Sequence, residues 1–358
     1  MYRNTKNVPY YVFGRGSLAQ LGDLLKPRRE AVDGPVVYFV DHFFRDHELI
    51  GRLPMEKGDQ LHFVDSSSEP EVTRIDAFKE AVSAADSRTP CCVVGIGGGN
   101  ALDTAKAVAN LLTNPGKAED YQGWELVKNP AVYKIGIPTL SGTGSECSRT
   151  CVLTNIPKNL KLGMNSDYTV YDQLLLDPDL LATVPRDQYF YTGIDTFMHC
   201  VESLQGSYRN AIIDAFSVRA VQLCEEIFLS DDMMSEDNRE KMMIASYIGG
   251  MAAGNVGVIH PFSAGLGVVL HVAHGLGNCL ALNVLGDIYP KEYKQFRTMI
   301  ERQGVNLPSG ICKDLTEEQY EGLYRGCIVH EKPLTNALGP DFKQILTREN
   351  LIERYKSI

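Results

Sequence analysis

The sequence lacks the features of a secreted or membrane-spanning protein. Its 358 residues begin Met1-Tyr2-Arg3-Asn4, without the long apolar stretch of a signal peptide, and no later run approaches the roughly eighteen apolar residues that cross a bilayer. The nine cysteines are odd in number and scattered, apart from the adjacent Cys91 and Cys92, and none shows CxxC spacing. These absences predict a reducing compartment, and we expect a cytoplasmic location without membrane association.

Dense clusters of basic residues are also absent. The chain has 35 Lys and Arg residues against 45 Asp and Glu, for a net charge of −10. Because nucleic-acid binding depends largely on neutralising phosphates, this balance argues against a nucleic-acid partner. We therefore expect a small-molecule partner.

The residues that are present predict two domains. The chain is longer than one hydrophobic core usually serves, and its 44% apolar content can fill two. Before about residue 180, strand candidates at Pro35–Val40, Leu61–Val64 and Cys91–Ile96 alternate with helical patterns such as Ile75–Ala85. This alternation predicts a doubly wound α/β domain with a parallel sheet, which we place at residues 1–180.

The second half of the chain has a different sequence pattern. Long helical patterns such as Ala211–Phe228 and Arg239–Met251 follow one another, and no strand-like alternation interrupts them. Pro178 and Pro185 mark the natural hinge, because proline disfavours helix in the residue before it. We therefore predict an all-helical domain at residues 181–358.

A glycine-rich turn is the first candidate binding feature. Gly97, Gly98 and Gly99 lie between a strand and a strong helix, where backbone N–H groups and the helix dipole favour an anion. A tight turn with no ligand is the simpler alternative. Asp41 at the end of an earlier strand is suited to ribose hydroxyls, and a solvated carboxylate is the alternative there. Together with a second Gly/Thr/Ser loop, IPTLSGTGSE, they favour a dinucleotide over a lone phosphate.

One aspartate and four histidines form the second candidate binding feature. Asp195 and His199 are four apart in a helical pattern, so their side chains share one face. His260, His271 and His274 follow within fifteen residues. Any one histidine could be a satisfied core residue, but a carboxylate with two or three imidazoles suits Zn²⁺ or Fe²⁺, which can lower the pKa of an alcohol.

These motifs together resemble the iron-containing (group III) alcohol dehydrogenases. The chain carries, in the family's order, GGGNALDTAK, PTLSGTGSE, DPDLLATVP, TGIDTFMH and two histidines fourteen residues apart. The resemblance implies the dehydroquinate synthase-like fold of that family, with a divalent metal and NAD(H) meeting in a cleft between the domains. It also implies the metal ligands Asp195, His199, His260 and His274, and the dinucleotide-lining residues Asp41, Gly98, Gly99, Asn100, Asp103, Thr139, Thr143 and Lys161.

Some positions depart from the family pattern. Many members have a histidine four residues after the third ligand that is proposed to relay the alcohol proton, and Ala264 stands there in this chain. We take His271 as the substitute, and include Lys161 among the catalytic candidates. An asparagine of the dinucleotide loop is replaced near Glu69, and Asn100 stands where serine is usual.

The chain looks most like the branch of the family that acts on sugar acids. That likeness implies oxidation of the C8 hydroxyl of 3-deoxy-D-manno-octulosonate (Kdo) to an aldehyde, which a pyridoxal-phosphate aminotransferase would convert to 8-amino-Kdo for lipopolysaccharide. Either NAD or O₂ could accept the electrons, and of the two metals only Fe²⁺ can pass electrons to O₂. Arg149, Lys158 and Lys161 are candidates to meet the substrate carboxylate.

Three other functions are compatible with parts of this sequence. An NAD-dependent dehydrogenase for another alcohol fits the same motifs. A lyase like dehydroquinate synthase would share the fold, although that family uses a glutamate where Asp195 stands. A catalytically inactive binding protein is the third alternative. The family resemblance also implies a homodimer.

Overall fold

The computed structural model describes residues 6–158 and 160–358. The chain divides into two compact units. The first comprises the described residues up to Leu140 together with Ser145–Thr183, and the second comprises Ser141–Gly144 and Val184–Ile358. The boundary after Thr183 lies three residues beyond the position predicted from the sequence, and a four-residue loop from the first half is assigned to the second unit.

The first unit contains a parallel sheet, a small second sheet and three α-helices. Its strands are β1 (Tyr10–Phe13), β2 (Val36–Asp41), β3 (Gln60–Val64), β4 (Cys92–Gly97), β5 (Gly123–Trp124), β6 (Lys134–Pro138), β7 (Thr150–Asn155), β8 (Leu160–Asn165) and β9 (Gln173–Leu176). Its helices are α1 (Leu21–Ala31), α2 (Val72–Ala85) and α3 (Gly99–Leu111). Six strands form the main sheet in the order β1-β9-β6-β4-β2-β3, and β5, β8 and β7 form the small one.

The main sheet has a topological switch point between β2 and β4. All its strand pairs are parallel, and the chain runs from β2 outward to β3 before returning to β4 on the other side of β2. In open α/β sheets, ligands bind beyond the carboxyl ends of the strands that flank such a point. Here these ends are Asp41 and Gly97, because Val40 pairs with Ile96.

The strand sequences divide their side chains between two cores. Val37 and Phe39 of β2 belong to one buried cluster, whereas Val36, Tyr38 and Val40 belong to the other. Successive side chains of a strand point to opposite faces, so an uninterrupted apolar run is what a sheet covered on both faces requires. The doubly wound α/β fold predicted for the first half is therefore confirmed.

The strand predictions were accurate where β-branched residues dominate and incomplete elsewhere. The three predicted strands correspond to β2, β3 and β4, with β2 and β4 shifted by one residue at both ends and β3 one residue longer at its start. Strand β6 was missed because Lys134, Gly136 and Pro138 are atypical of strands, although the whole strand is buried. The antiparallel hairpin of β7 and β8 was also missed.

The second unit is helical. Its helices are α4 (Arg186–Gln205), α5 (Ala211–Phe228), α6 (Glu236–Gly249), α7 (Ile259–Leu270), α8 (His274–Val284), α9 (Pro290–Gln303), α10 (Glu317–Ile328), α11 (Glu331–Leu338), α12 (Phe342–Ile345) and α13 (Arg348–Lys356). Residues 184–358 contain no strand, as predicted. Helix α6 ends two residues earlier than predicted because the chain tightens into a 3₁₀ helix at Gly250–Asn255.

All nine cysteines lie in the described part of the chain, and each is free and buried. Among the described residues, no individual helix combines the length and apolar character needed to span a membrane. One pair, Glu236–Asn255 with Ile259–Leu270, meets that test only when combined, and it is bent by 91°.

Candidate metal centre and dinucleotide site

Helix α4 supplies an acidic and an imidazole group on one buried face. Asp195, His199 and Glu202 are spaced i, i+4 and i+7, which places their side chains along the same stripe of a helix. All three are buried, and Asp195 is fully excluded from solvent. A buried carboxylate is costly unless it is paired or coordinates a cation.

The first turns of α7 and α8 bring two more histidines to Asp195. The Nε2 atom of His260 lies 3.2 Å from Oδ1 of Asp195, and Nε2 of His274 lies 3.4 Å from Oδ2. One possible ligand atom from each of the three residues lies within 4.8 Å of the others. The structure therefore brings together three of the four metal ligands implied by the family resemblance.

The fourth implied ligand, His199, adjoins this group without joining it. Its Nε2 atom lies 3.9 Å from Oδ1 of Asp195, and its ring stacks on that of His260 with centroids 4.5 Å apart. It is not part of the group whose ligand atoms fall within 4.8 Å. Its assignment as a ligand remains a prediction.

The donor atoms of this cluster fit a divalent metal. Oδ2 of Asp195, Nδ1 of His199 and Nδ1 of His274 are buried, and none forms a well-aligned hydrogen bond with the described residues. An orphaned oxygen on a fully buried carboxylate is energetically unfavourable, and a cation would satisfy it. One carboxylate oxygen with two or three imidazole nitrogens is a set that suits Zn²⁺ or Fe²⁺.

The pKa values of the clustered residues shift in different directions. Burial would raise the pKa of Asp195, but the adjacent His199 and His274 hold that pKa well below its usual value. Burial lowers the pKa of His199 to about 3. Burial also opposes charge on His260, but Glu202 and Asp195 raise its pKa to about 9. The cluster therefore favours an ionised Asp195 beside a neutral His199.

Two contacts of the cluster were not anticipated from the sequence. Glu202 accepts a close hydrogen bond from Nδ1 of His260. Nδ2 of Asn278 donates to Oδ1 of Asp195 at 2.7 Å and lies 3.2 Å from Nε2 of His274. Both residues stand one helical turn beyond a predicted ligand, and that spacing is the signal that would have identified them.

The proposed substitute for the missing proton relay lies elsewhere on the same unit. His271 ends α7 in a left-handed conformation, with φ of 55°, and its side chain is exposed. It is outside the group of Asp195, His260 and His274. Ala264, which stands at the usual relay position, is buried within α7. A catalytic role for His271 remains a prediction.

In the first unit, the glycine turn and Asp41 adjoin at the switch point. Gly97 has φ of 151°, and a Cβ there would lie 2.6 Å from Cβ of Ala101 and 2.9 Å from Cβ of Asp41. Gly98 is the N-cap of α3. Because glycine has no side chain, no side chain of the N-cap residue is hydrogen-bonded to the first N–H groups of the helix. These N–H groups and the helix dipole form an anion-binding position in the predicted place.

The side chains predicted to line the dinucleotide already have partners. Asp41 accepts hydrogen bonds from N–H of Phe43 and from the hydroxyl of Ser66, and Asn100 donates to the carbonyls of Ser66 and Ser68. Asn100 and Asp41 thus both hold the loop after β3. These contacts place the predicted residues together without testing whether they bind a cofactor.

Asp103 has a structural role that the sequence did not reveal. Its carboxylate accepts hydrogen bonds from the hydroxyl of Ser145 and the N–H of Val152, and it lies 3.5 Å from Nζ of Lys106. The fully buried Lys106 in turn donates to the carbonyls of Ser145, Ser148 and Thr150. Together, Asp103 and Lys106 attach the loop 145–150 to helix α3.

The two threonines of the second loop fall in different units. Thr139 follows β6 in the first unit, and its N–H donates to the carbonyl of Gly97. Thr143 belongs to the loop Ser141–Gly144 of the second unit. That loop is held by Gly142, whose N–H donates to Ser246 and whose carbonyl accepts from Thr196.

Each cation proposed to meet a substrate carboxylate is paired with a carboxylate of the chain. Lys161, on β8, lies 2.9 Å from Glu69 and is only 7% exposed. The guanidinium of Arg149 pairs with Asp167 at 2.7 Å and also with Glu125, and Lys158 pairs with Glu119 at 2.7 Å. None of the three is therefore a free positive charge awaiting an acidic substrate.

A cavity of about 360 Å³ in the first unit adjoins this region. Its wall includes Glu69 and Asn100, with Phe63, Ile75 and Phe78 among its apolar lining. The Glu69 carboxylate therefore lies both at a cavity wall and beside Lys161.

Models of one protein family match both halves of the chain. The model described as iron-containing alcohol dehydrogenase matches residues 9–178. The model of the C-terminal part of the Fe-containing alcohol dehydrogenase family matches residues 189–322. These two segments include nearly all the motifs on which the sequence resemblance rests.

Individual relatives agree with these matches. The sulfoacetaldehyde reductase of Bilophila wadsworthia is 34% identical over 220 residues, which are 60% of this chain and 56% of that protein. The NAD-dependent methanol dehydrogenase of Bacillus methanolicus is 29% identical over 278 residues, which are 75% of this chain and 71% of that protein. The alignment thus spans just over half of the first relative and more of the second.

Solved structures share the fold over the full chain. The alcohol dehydrogenase from Oenococcus oeni superposes with a TM-score of 0.84 at 21% identity, covering 99% of each chain. The sulfoacetaldehyde reductase from Bifidobacterium kashiwanohense, in complex with NAD⁺, superposes with a TM-score of 0.80 at 24% identity, covering 99% of this chain and 98% of that one. At these identities the likeness establishes the fold.

Proposed function

The chain belongs to the iron-containing alcohol dehydrogenase family, and we propose that within this family it oxidises a primary alcohol of a sugar acid. Membership makes it an alcohol oxidoreductase of a family that binds a divalent metal and NAD(H). The observation that carries the metal-dependent oxidation in this proposal is the convergence of Asp195, His260 and His274 in the helical unit.

The proposed chemistry assigns different tasks to the two units. A divalent metal in the Asp195 cluster would supply Lewis acidity toward an alcohol oxygen, and a nicotinamide would supply the acceptor for the hydride at the neighbouring carbon. Asp195 contributes the negative charge of the cluster, and His260 and His274 direct Nε2 atoms toward it. The N-terminus of α3 would hold the pyrophosphate and Asp41 the ribose hydroxyls, and the exposed His271 would accept the released proton.

The specific substrate that we propose is Kdo, oxidised at C8 to the aldehyde. Support comes from the sequence resemblance to the sugar-acid branch and from a relative whose name specifies an anionic aldehyde, sulfoacetaldehyde. Because Arg149, Lys158 and Lys161 are each ion-paired, the proposal does not assign the carboxylate of Kdo to them. Contact between the substrate carboxylate and any of these three residues stays a prediction from the sequence.

Several associated properties remain part of the proposal. We propose Fe²⁺ or Zn²⁺ as the metal, and Zn²⁺ would displace Fe²⁺ where both are present because zinc binds such ligands more tightly. We also propose a cytoplasmic homodimer without nucleic-acid or membrane partners. A pyridoxal-phosphate aminotransferase is the proposed consumer of the aldehyde, leading to 8-amino-Kdo for lipopolysaccharide biosynthesis.

The test is an anaerobic incubation of the iron-loaded protein with Kdo, with and without NAD, followed by mass spectrometry. We expect a product that has lost two hydrogens, formed only with NAD and accompanied by NADH. A product that forms only after O₂ is admitted would assign oxygen as the acceptor. Absence of product in every arm, from protein that still binds metal and NAD, would reject Kdo as the substrate.

A further inference from the structure

A buried carboxylate that the proposed chemistry does not use lies directly behind one of the candidate ligands. Glu202 is 1% exposed and stands on α4, two turns beyond Asp195. Its Oε2 accepts a close hydrogen bond from Nδ1 of His260, and its Oε1 accepts from the N–H of Ile259 at 2.6 Å. The carboxylate thus holds both the backbone and the ring at the start of α7.

The surroundings of Glu202 are built to keep it in this position. The hydroxyl of Tyr289 donates to Oε1 of Glu202 at 3.3 Å and accepts from the N–H of Val258 at 3.0 Å. A Cβ at Gly257 would lie 2.5 Å from the Tyr289 hydroxyl and 3.1 Å from Oε1 of Glu202, so glycine is needed there. The start of α7 is therefore anchored to this carboxylate by several independent contacts.

The contact determines which nitrogen of His260 faces the cluster. A neutral imidazole has one N–H and one lone pair, and a carboxylate at Nδ1 keeps the N–H there when a cation takes the lone pair of Nε2. Nε2 is the nitrogen on the cluster side of the ring, 3.2 Å from Oδ1 of Asp195. We propose that Glu202 is a positioning residue that orients His260 as an Nε2 ligand, an inference that rests on the metal-binding role proposed for the cluster.

The other histidine of the cluster lacks such support, which makes the arrangement asymmetric. Nδ1 of His274 is buried and has no hydrogen-bond partner among the described residues. Asn278 instead contacts its Nε2 side. His260 is thus oriented from behind by a charged group, whereas His274 is not. Partners on the far side of a ligand histidine typically change metal affinity by about 10- to 100-fold.

The charge of Glu202 also favours binding of a metal by the cluster. Asp195 and Glu202 place two carboxylates on one buried face of α4. A divalent cation beside them would balance their charge, and replacing Glu202 with a neutral residue would leave an uncompensated positive charge in a buried site. Because unpaired buried charge is costly, this effect adds to the loss of orientation.

The test measures Zn²⁺ affinity of the chelator-stripped, full-length protein by competition with a chromophoric chelator. We expect Glu202→Gln to bind Zn²⁺ about 10- to 100-fold more weakly than wild type. Tyr289→Phe is the matched control, since it removes one donor to Glu202 but leaves the imidazole contact, and we expect it to change affinity by less than about threefold. If Glu202→Gln does not fold, Glu202→Asp, which shortens the side chain, replaces it.

A double-mutant cycle with His260→Ala identifies the route of the effect. If Glu202 acts mainly through His260, then Glu202→Gln loses most of its effect on Zn²⁺ affinity once the imidazole is gone, and only the part due to its charge remains. Equal losses in Glu202→Gln and Tyr289→Phe, or unchanged affinity in Glu202→Gln, would overturn the proposal. Retention of wild-type Zn²⁺ affinity in His260→Ala would instead reject the metal site itself, so the two failures are distinguishable.

Discussion

The two units differ in how completely their candidate site residues are satisfied by the chain itself. In the helical unit, Asp195 keeps one buried oxygen without a hydrogen bond, and the cluster leaves imidazole nitrogens unpartnered. In the α/β unit, the carboxylate of Asp41 is hydrogen-bonded to Ser66 and Phe43, and Lys161 is paired with Glu69. The Asp195 cluster needs a cation to satisfy its buried oxygen, whereas the charged side chains of the α/β unit are already paired within the chain.

This difference indicates what each ligand must contribute. A metal in the helical unit would supply the missing partner of a buried carboxylate, so its binding also stabilises the folded protein. A dinucleotide in the α/β unit would be held largely by backbone N–H groups at the start of α3, with the surrounding side chains preorganised by one another. Damage to the first site should therefore be more severe than damage to the second.

The largest effect should follow from His274→Ala. Loss of one of the converging nitrogens removes a ligand, and we expect turnover to fall by about 10³-fold or more, because the Lewis-acid contribution amounts to several kcal/mol. Bound metal, measured by inductively coupled plasma mass spectrometry, should fall with it. His330→Ala replaces a histidine outside the cluster and is the control. Full metal content together with full turnover in His274→Ala would contradict the ligand assignment.

A smaller effect, confined to the dinucleotide, should follow from Gly97→Ala. The added Cβ would collide with Ala101 and Asp41 at a backbone conformation that L-residues rarely adopt. We expect the Kd for NAD to rise by roughly 10- to 100-fold with Zn²⁺ affinity unchanged, as measured by calorimetry. Gly51→Ala, where a Cβ would meet no atom within 4 Å, is the control. A normal Kd for NAD in Gly97→Ala would place the dinucleotide elsewhere.

Glu69→Gln should increase the affinity for NAD. This change removes a negative charge from beside Lys161 and the predicted path of an anionic cofactor. We expect NAD to bind about 2- to 5-fold more tightly, since exposed or half-buried charges contribute up to about 1 kcal/mol. Glu71→Gln is a matched control, because Glu71 lines the same cavity, is similarly exposed and pairs with Arg74 instead. Equal effects of the two changes would argue against a specific role for Lys161.

A further effect concerns the stability of the first unit and neither ligand. Burial lowers the pKa of Lys134 to about 8 against 10.5 for an ordinary lysine, with Asp172 opposing the shift. Between these pH values the unfolded chain binds a proton that the folded chain does not, so rising pH stabilises the fold. Relative to Lys134→Met, the wild-type free energy of unfolding should therefore rise across this window by at most about 3 kcal/mol. Parallel pH profiles in urea titrations would contradict the shift.

The sequence predicted the framework because its signals are local. The buried β-branched runs of β2 and β4, the glycine turn and the helical spacing of Asp195 and His199 each depend on neighbouring residues. The family resemblance then supplied what spacing cannot, namely that His260 and His274 would reach Asp195 across the chain. All three converge in the structure.

The remaining features depend on long-range contacts that no local pattern encodes. The pairing of Lys161 with Glu69 joins residues 92 positions apart, and the Asp103 contact with Val152 spans 49 positions. Lys161 and Asp103 were assigned to the cofactor from their place in the family motifs. Such a motif does not distinguish a residue that contacts the ligand from one that shapes the loop. Glu202 was overlooked for the opposite reason, since its role depends on His260, which lies 58 residues away.

Anomalous diffraction at the zinc edge, from crystals of protein reconstituted with one equivalent of Zn²⁺, locates the metal directly. We expect a peak about 2.0–2.2 Å from an Asp195 oxygen and from Nε2 of both His260 and His274, and the same map decides whether His199 is the fourth ligand. A peak at another position, or none at these residues, would contradict this expectation.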